Sequence, residues 1–380
     1  MHRNPFSDAE ITRRHAALRT RMAALDLDVA IVSSPENIVY LTGLDHWGYF
    51  APTMLIVPRD STPVLTTREM ERVSIETMVR AADFRGHADT TSVAEPAADM
   101  LAGLSPNRTG LEMQSAGLPH ALAAALMDQA PGTFTDISGL VDDLRQIKSA
   151  EEQALIRRAA AATNAATAAA IDAIHDGARE EDVAAACLAA MTRAGGEPPG
   201  FGPFIRPGTR LGEEHTTWGH GQHHTGTPVF LELSGCAGRY HAPNGRLVHV
   251  GPVPDADAAM AEVAKAAFAA VLGALTPGSR ARDVYAAWQG VVDDAGLAQY
   301  RRHHCGYAVG IGVPPSWTGG NRVVGLRHDS DMEIAEGMAF HVLSWLMGTG
   351  QGDFFCSDTV LLGPDGSEVL TTTPQGPISR

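Results

Sequence analysis

Cysteine is scarce in this sequence and scattered where it occurs: Cys187, Cys236, Cys305 and Cys356, with no CxxC pair. That argues against a structural zinc site and a disulfide scaffold, and suits reduced thiols. No apolar stretch reaches membrane-spanning length, and the opening from Met1 to Asp8 is polar with no apolar run behind it. The expectation is a cytoplasmic protein without a membrane partner. Positive charge is in deficit: 29 Lys and Arg against 44 Asp and Glu give a net charge of -15. Such a surface repels nucleic acid and anionic lipid. Also missing are the GxxxxGK[ST] phosphate loop, the GxSxG elbow and HExxH. Gly306, Gly310 and Gly312 have the wrong spacing for a dinucleotide-binding turn.

What is present reads as a globular chain of two domains: 380 residues, 44% hydrophobic and 19% charged. Ser7 with Glu10 predicts a helix to about Leu25, and strands are expected over Asp28 to Ser33 and Thr53 to Val57. Helical and strand-like segments alternate to about Leu144, the pattern of a small α/β domain. Ser149 with Glu152 opens a long Ala-rich helix to about Ile174, so a boundary is placed near residue 145. A helix from Arg179 to Ala194 and a Gly/Pro-rich loop from Gly195 to Gly212 follow. The strand Pro228 to Ser234 is expected to pair with Arg239 to His249 as a hairpin. Helices near 258–275 and 281–295 then precede strands around Val309, Phe340 and Thr359. Helices followed by antiparallel strands, in two rounds, predict an α+β domain.

Within that second domain Glu232 lies between Leu231 and Leu233 on an apolar strand. A carboxylate buried there needs a partner, and Arg239, His241, Arg246 or a cationic substrate are candidates. His220, His223 and His224 sit in a Gly-rich loop without ligand spacing to Glu213 or Glu214, which reads as a solvated loop. Cys236 reads as a packing residue.

Several segments carry a family resemblance. Pro35-Glu-Asn-Ile-Val-Tyr-Leu-Thr-Gly43 resembles the N-terminal-domain motif of the creatinase/aminopeptidase P/prolidase family. Ile147-Lys-Ser149 resembles the entry to that family's catalytic domain. His215, Gly226 to Arg246, Tyr307 to Gly310, Gly337-Met338 and Ser357 to Val360 resemble its catalytic landmarks in order. The resemblance implies a creatinase-type α/β N-terminal domain over 1–145 and an α+β pita-bread catalytic domain over 146–380, working as a homodimer. Peptidases of that family hold two metal ions with two Asp, one His and two Glu. The corresponding positions here are Glu232, Pro243, Tyr307, Leu343 and Ser357. Proline and leucine offer no side-chain ligand, so no metal and no cofactor are expected.

The chain looks closer to the metal-free ectoine hydrolase branch, through Glu232 to Cys236, Arg239 to His241, Arg246, Gly306 to Gly310, Pro314 to Trp317, Gly337 to His341, and His215 followed by Trp218. This implies hydrolysis of a C–N bond in a small cyclic amidine or amidino compound. Glu232 would be nucleophile or ion-pair partner, His215 the proton shuttle, and Tyr307 and His341 the groups holding the tetrahedral centre. Arg206 or Arg246 would grip a carboxylate, and Trp218 and Trp317 would face a flat cation, with Tyr240 and His241 beside them. Trp47 and Tyr49 would reach a neighbouring subunit's pocket. Structural roles stand beside these: Glu232 as an ion-pair partner of Arg246, Tyr307 filling the space of a lost ligand, His341 and Trp317 as core residues. Two other functions stay open, a creatinase-like amidinohydrolase that would release urea and an inactive binder of small zwitterions.

Overall fold

The computed structural model describes residues 4–380 apart from Asn321; the first three residues of the polar opening and Asn321 lie outside it. The chain forms two compact units, residues 1–146 with 319–322, and residues 147–318 with 323–380.

The first unit is a mixed sheet in the order β4-β3-β2-β1-β5-β6. Its strands are β1 (Val29–Val32), β2 (Met54–Pro58), β3 (Val64–Arg68), β4 (Asp83–His87), β5 (Arg108–Leu111) and β6 (Thr133–Asp136). Its helices are α1 (Asp8–Ala24), α2 (Pro35–Thr42), α3 (Arg72–Met78), α4 (Ala94–Leu104), α5 (His120–Gln129) and α6 (Leu140–Leu144). The family-like segment is α2, which starts on Pro35 and ends at Gly43 with φ +74°, a backbone conformation that favours glycine. Buried Glu112 explains its placement. One carboxylate oxygen accepts the N–H groups of Ser33 and Ser34 at 2.8 and 2.7 Å, and the other takes the Asn37 amide. Burial pushes the Glu112 carboxyl up against those bonds.

The second unit begins with α7 (Ala150–Ala173), whose N-terminus is closed by reciprocal bonds between Ser149 and Glu152 at 2.9 and 3.3 Å. Then come α8 (Glu180–Arg193), β7 (Phe204–Pro207), β8 (Pro228–Ala237), β9 (Tyr240–His249), α9 (Asp255–Ala274), α10 (Ala281–Asp294), β10 (Gly306–Ala308), β11 (Ala339–Leu346) and β12 (Phe354–Gly363). Short β13 (Gly366–Val369) and β14 (Ile378–Ser379) join β12 and β9. The main sheet runs β10-β11-β12-β9-β8-β7, so two rounds of two helices and three strands meet at the β12–β9 pair. This is the pita-bread fold.

Helices α7 and α8 bury Ala162, Ala166, Ala170 and Cys187 against Leu231, Leu233 and Val248. Helices α9 and α10 bury Phe268, Val271 and Trp288 against Phe340, Val342 and Cys356. The small residues let α7 lie very close to β8. A Cβ on Gly235 would sit 2.4 Å from the Ala159 carbonyl oxygen. Both helix pairs cover the same face of the sheet, and strand residues of opposite parity are left for the other face.

Candidate active site

That other face carries the candidate residues, and the strand register places them. Glu232 pairs with Gly245, Gly245 with Ser357 and Ser357 with Leu343, a row across four strands. Pro243 lies two residues from Gly245, and His341 two residues from Leu343 with Tyr307 opposite it. All five positions of the family's metal ligands therefore converge on one face. Pro243 and Leu343 cannot ligate through their side chains, and Tyr307 and Ser357 are protonated hydroxyl groups. Among the described residues no three His, Cys, Asp or Glu come together as a metal site. The residues present do not fit a bimetallic centre.

A hydrogen-bonded chain takes its place. The Trp317 indole N–H donates to the Tyr307 hydroxyl oxygen at 3.0 Å, and the Tyr307 hydroxyl lies 2.8 Å from His341 Nδ1. His341 Nε2 lies 2.7 Å from Ser357 Oγ and 4.0 Å from Glu232 Oε1. Indole can only donate, so the Tyr307 oxygen accepts there. A neutral His341 donates through one ring nitrogen and accepts through the other, so the proton chain runs from Tyr307 to Ser357 or from Ser357 to Tyr307. Burial, and after it the charges of His304 and Arg246, pushes His341 down to about 3, so it is neutral. Burial, and after it Glu232, raises the Tyr307 phenol well above its ordinary value.

Glu232 keeps 13% of its side chain exposed in this apolar wall. Burial raises its carboxyl to about 8, with Glu214 adding to the rise and Arg206 opposing it. Near neutral pH it is mostly protonated and becomes an anion when a cation arrives. Arg206 is on the same face of β7, diagonal to Glu232 through the Phe204–Glu232 pair. It is buried, and its Nη1 donates to the Glu213 carbonyl oxygen.

The remaining candidates divide by strand parity and by loop. Arg246 points to the helix face, not to Glu232. It donates to Asp358 Oδ1 at 2.8 Å, to the Ser357 and Gly245 carbonyls at 2.6 and 2.7 Å, and to the Pro374 carbonyl at 2.8 Å. Tyr240 points the same way and donates to Glu152 Oε1 at 2.7 Å, which ties β9 to the start of α7. Neither reaches a substrate at Glu232. His241 is buried and accepts the Gly200 N–H at 2.8 Å. Trp218 packs against the α7–α8 core. Trp317 is buried, with Phe201 and Phe204 rings 4.8 and 5.5 Å away, so it orients Tyr307 and leaves no open face. His215 lies on an exposed loop at φ +55°, with its ring 6.1 Å from Phe201 and 6.2 Å from Phe204. In the first unit Trp47 is 64% exposed, while Tyr49 donates to the Leu44 carbonyl at 2.8 Å.

The His220 to His224 loop is not uniformly solvated. His220 is exposed, but His223 is wholly buried, and burial lowers its pKa. The sequence places Ser357 at a metal-ligand position but gives it no role, and His304 is not among the expected residues. The His304 ring lies edge-on to Tyr307 at 5.5 Å, and burial pushes it down to about 3. Ser357 was marked in the sequence by the position of a family metal ligand; no sequence signal marks His304.

Residues 154–364 match metallopeptidase family M24, and residues 14–147 match the creatinase/prolidase N-terminal domain. The chain belongs to metallopeptidase family M24. An uncharacterised hydrolase/peptidase of Sinorhizobium fredii is 31% identical over 97% of each chain. Among M24 relatives, the ectoine hydrolase of Halomonas elongata is 26% identical over 98% of this chain and 97% of its own. The fold matches a Xaa-Pro dipeptidase from Bacillus anthracis with a TM-score of 0.85 at 19% identity, over 97% of this chain and 100% of that one. The M24 relatives place this chain among hydrolases.

Proposed function

We propose that this M24 chain hydrolyses a C–N bond in a small cyclic amidine or amidino compound without a metal ion, with ectoine and hydroxyectoine as the first substrates to test. One observation carries the reading: the five metal-ligand positions meet on one face, and what meets there is an isolated carboxylate beside a chain of neutral hydrogen-bonding groups. A single buried carboxylate suits an amidinium better than a metal pair.

An amidinium against Glu232 draws its carboxyl into the ionised form. A Glu232 oxygen bonds to the amidinium carbon, and one ring C–N bond breaks as the leaving nitrogen takes a proton. Water then cleaves the bond to Glu232. The balance is one water consumed, with an amide and an amine left on the opened product. With the proton chain running from Ser357 through His341 to the Tyr307 oxygen, the Tyr307 hydroxyl proton holds the tetrahedral centre and His341 positions that hydroxyl. His215 on its loop supplies and recovers the proton. The second unit is proposed to work in a homodimer in the cytoplasm.

Chelator-treated protein is expected to open the ectoine ring, followed by NMR, and Glu232→Gln is expected to lose at least about a thousandfold in rate. A stoichiometric bound divalent ion with activity lost on chelation would overturn the proposal. So would metal-dependent cleavage of a Xaa-Pro dipeptide with no action on amidines.

A further inference from the structure

Beyond Glu232 the site face continues as an aromatic surface. Phe230 is two residues from Glu232 on β8. Its ring stacks on Phe355 at 5.1 Å, and Trp345 lies 5.0 Å from Phe355 and 5.5 Å from Phe230. Phe230 and Phe355 are fully buried, while Trp345 is partly open. Gly245 makes room for them, since a Cβ there would meet the Phe355 ring at 2.3 Å.

Two guanidinium groups lie on this surface. Arg206 is 4.7 Å over Phe230, and Arg302, from the loop before β10, is 5.0 Å over Trp345. Both have a buried Nε with no hydrogen-bond partner. Aromatic faces offset part of the cost of burying a cation, but here they leave each Nε–H donor idle, while Arg206 Nη1 is taken by the Glu213 carbonyl. Of the acidic neighbours of Arg206, Glu213 pairs with Arg210, Glu214 is on the exposed loop, and Glu232 is the group the mechanism needs for the substrate cation.

We propose that Arg206 and Arg302 form a two-sided carboxylate clamp over Phe230 and Trp345, and that Arg302 decides whether a substrate must carry a carboxylate beside its cationic group. The clamp rests on the reading of the Glu232 site as an amidinium pocket. A planar guanidinium with a free Nε–H binds a carboxylate through paired bonds, and two of them distinguish a carboxylate from its neutral amide. The ligand class is a small zwitterion, with its cation at Glu232 and its anion on the arginine pair.

Calorimetric titration of ectoine and of its primary carboxamide tests this. The wild-type protein is expected to bind the carboxylate about tenfold or more tighter than the amide. In Arg302→Gln that preference falls to about twofold or less, and Arg302→Lys recovers part of it. Thermal unfolding of each variant is recorded alongside, and Arg302→Lys carries the comparison should Arg302→Gln fail to fold. A preference that survives Arg302→Gln, equal binding of both compounds by the wild type, or no binding of either at millimolar concentration overturns the clamp. Discriminating binding without ring opening leaves the clamp standing and overturns the hydrolase reading instead.

Discussion

A buried acid that takes its proton near pH 8 makes both stability and binding depend on pH, with opposite signs. Glu232 titrates at about 8 when folded against an ordinary 4.5. Between those values the folded protein holds a proton that the unfolded chain has released. Its contribution to stability is therefore complete below about pH 4.5, falls as pH rises, and is gone above 8. His341 titrates near 3, below that window. Urea unfolding of Glu232→Gln between pH 4.5 and 8 is expected to show a flatter pH slope than the wild type. An unchanged slope would mean that another group carries the linkage. Cation binding runs the other way: below pH 8 an amidinium must displace the Glu232 proton, so affinity rises with pH and a proton is released. Calorimetry in buffers of different ionisation enthalpy reads that proton directly. Glu232 was legible in the sequence because a carboxylate between two leucines has few reasons to be there. The partners proposed for it were less legible. Arg246 lies close in sequence, but its strand position turns it to the opposite face, as it does the substrate-binding candidate Tyr240, and only the register shows this.

At the scale of elements, Arg246 becomes a staple instead of a substrate ligand. It joins β9 to Asp358 and the Ser357 carbonyl on β12, and to the Thr373 and Pro374 carbonyls in the segment after β13. Asp358 is held in turn by Thr371 at 2.6 Å and Gln375 at 2.6 Å. Both Arg246 and Asp358 are 1% exposed, so removing the cation leaves a buried carboxylate without its counter-charge. Arg246→Ala is expected to lower stability by about 3–5 kcal/mol, measured by chemical denaturation. Folded Arg246→Ala at low temperature should keep its affinity for the substrate; a selective loss of affinity at unchanged stability would return Arg246 to the binding site. Helices α1 and α7 were readable from their caps, and the β8–β9 hairpin from its apolar strand. Strand β7 was not, because its four residues sit inside a Gly/Pro-rich stretch and take their extended form from pairing with β8. That omission hid how Arg206 lies beside Glu232.

At the scale of the molecule, the first unit presents an apolar group that its own fold does not cover. Trp47, Phe50, Met70 and Val73 are 64, 78, 67 and 74% exposed. Their two segments are tied together, since Arg68 stacks on Phe50 at 4.9 Å and His46 lies 3.4 Å from Glu71. A monomer seldom leaves so many large apolar side chains together in water, and their burial in a self-complementary contact is the simplest remedy. The acidic surface read from the composition opposes association in general, so the contact must rest on this apolar group more than on charge. Light scattering after size exclusion is expected to give twice the chain mass of 40.1 kDa for the wild type. The double variant Trp47→Ser, Phe50→Ser should shift to the single-chain mass with little change in unfolding of the second unit. A wild-type monomer at tens of micromolar, or a dimer indifferent to both substitutions, would remove this face from the assembly and with it the subunit role proposed for Trp47.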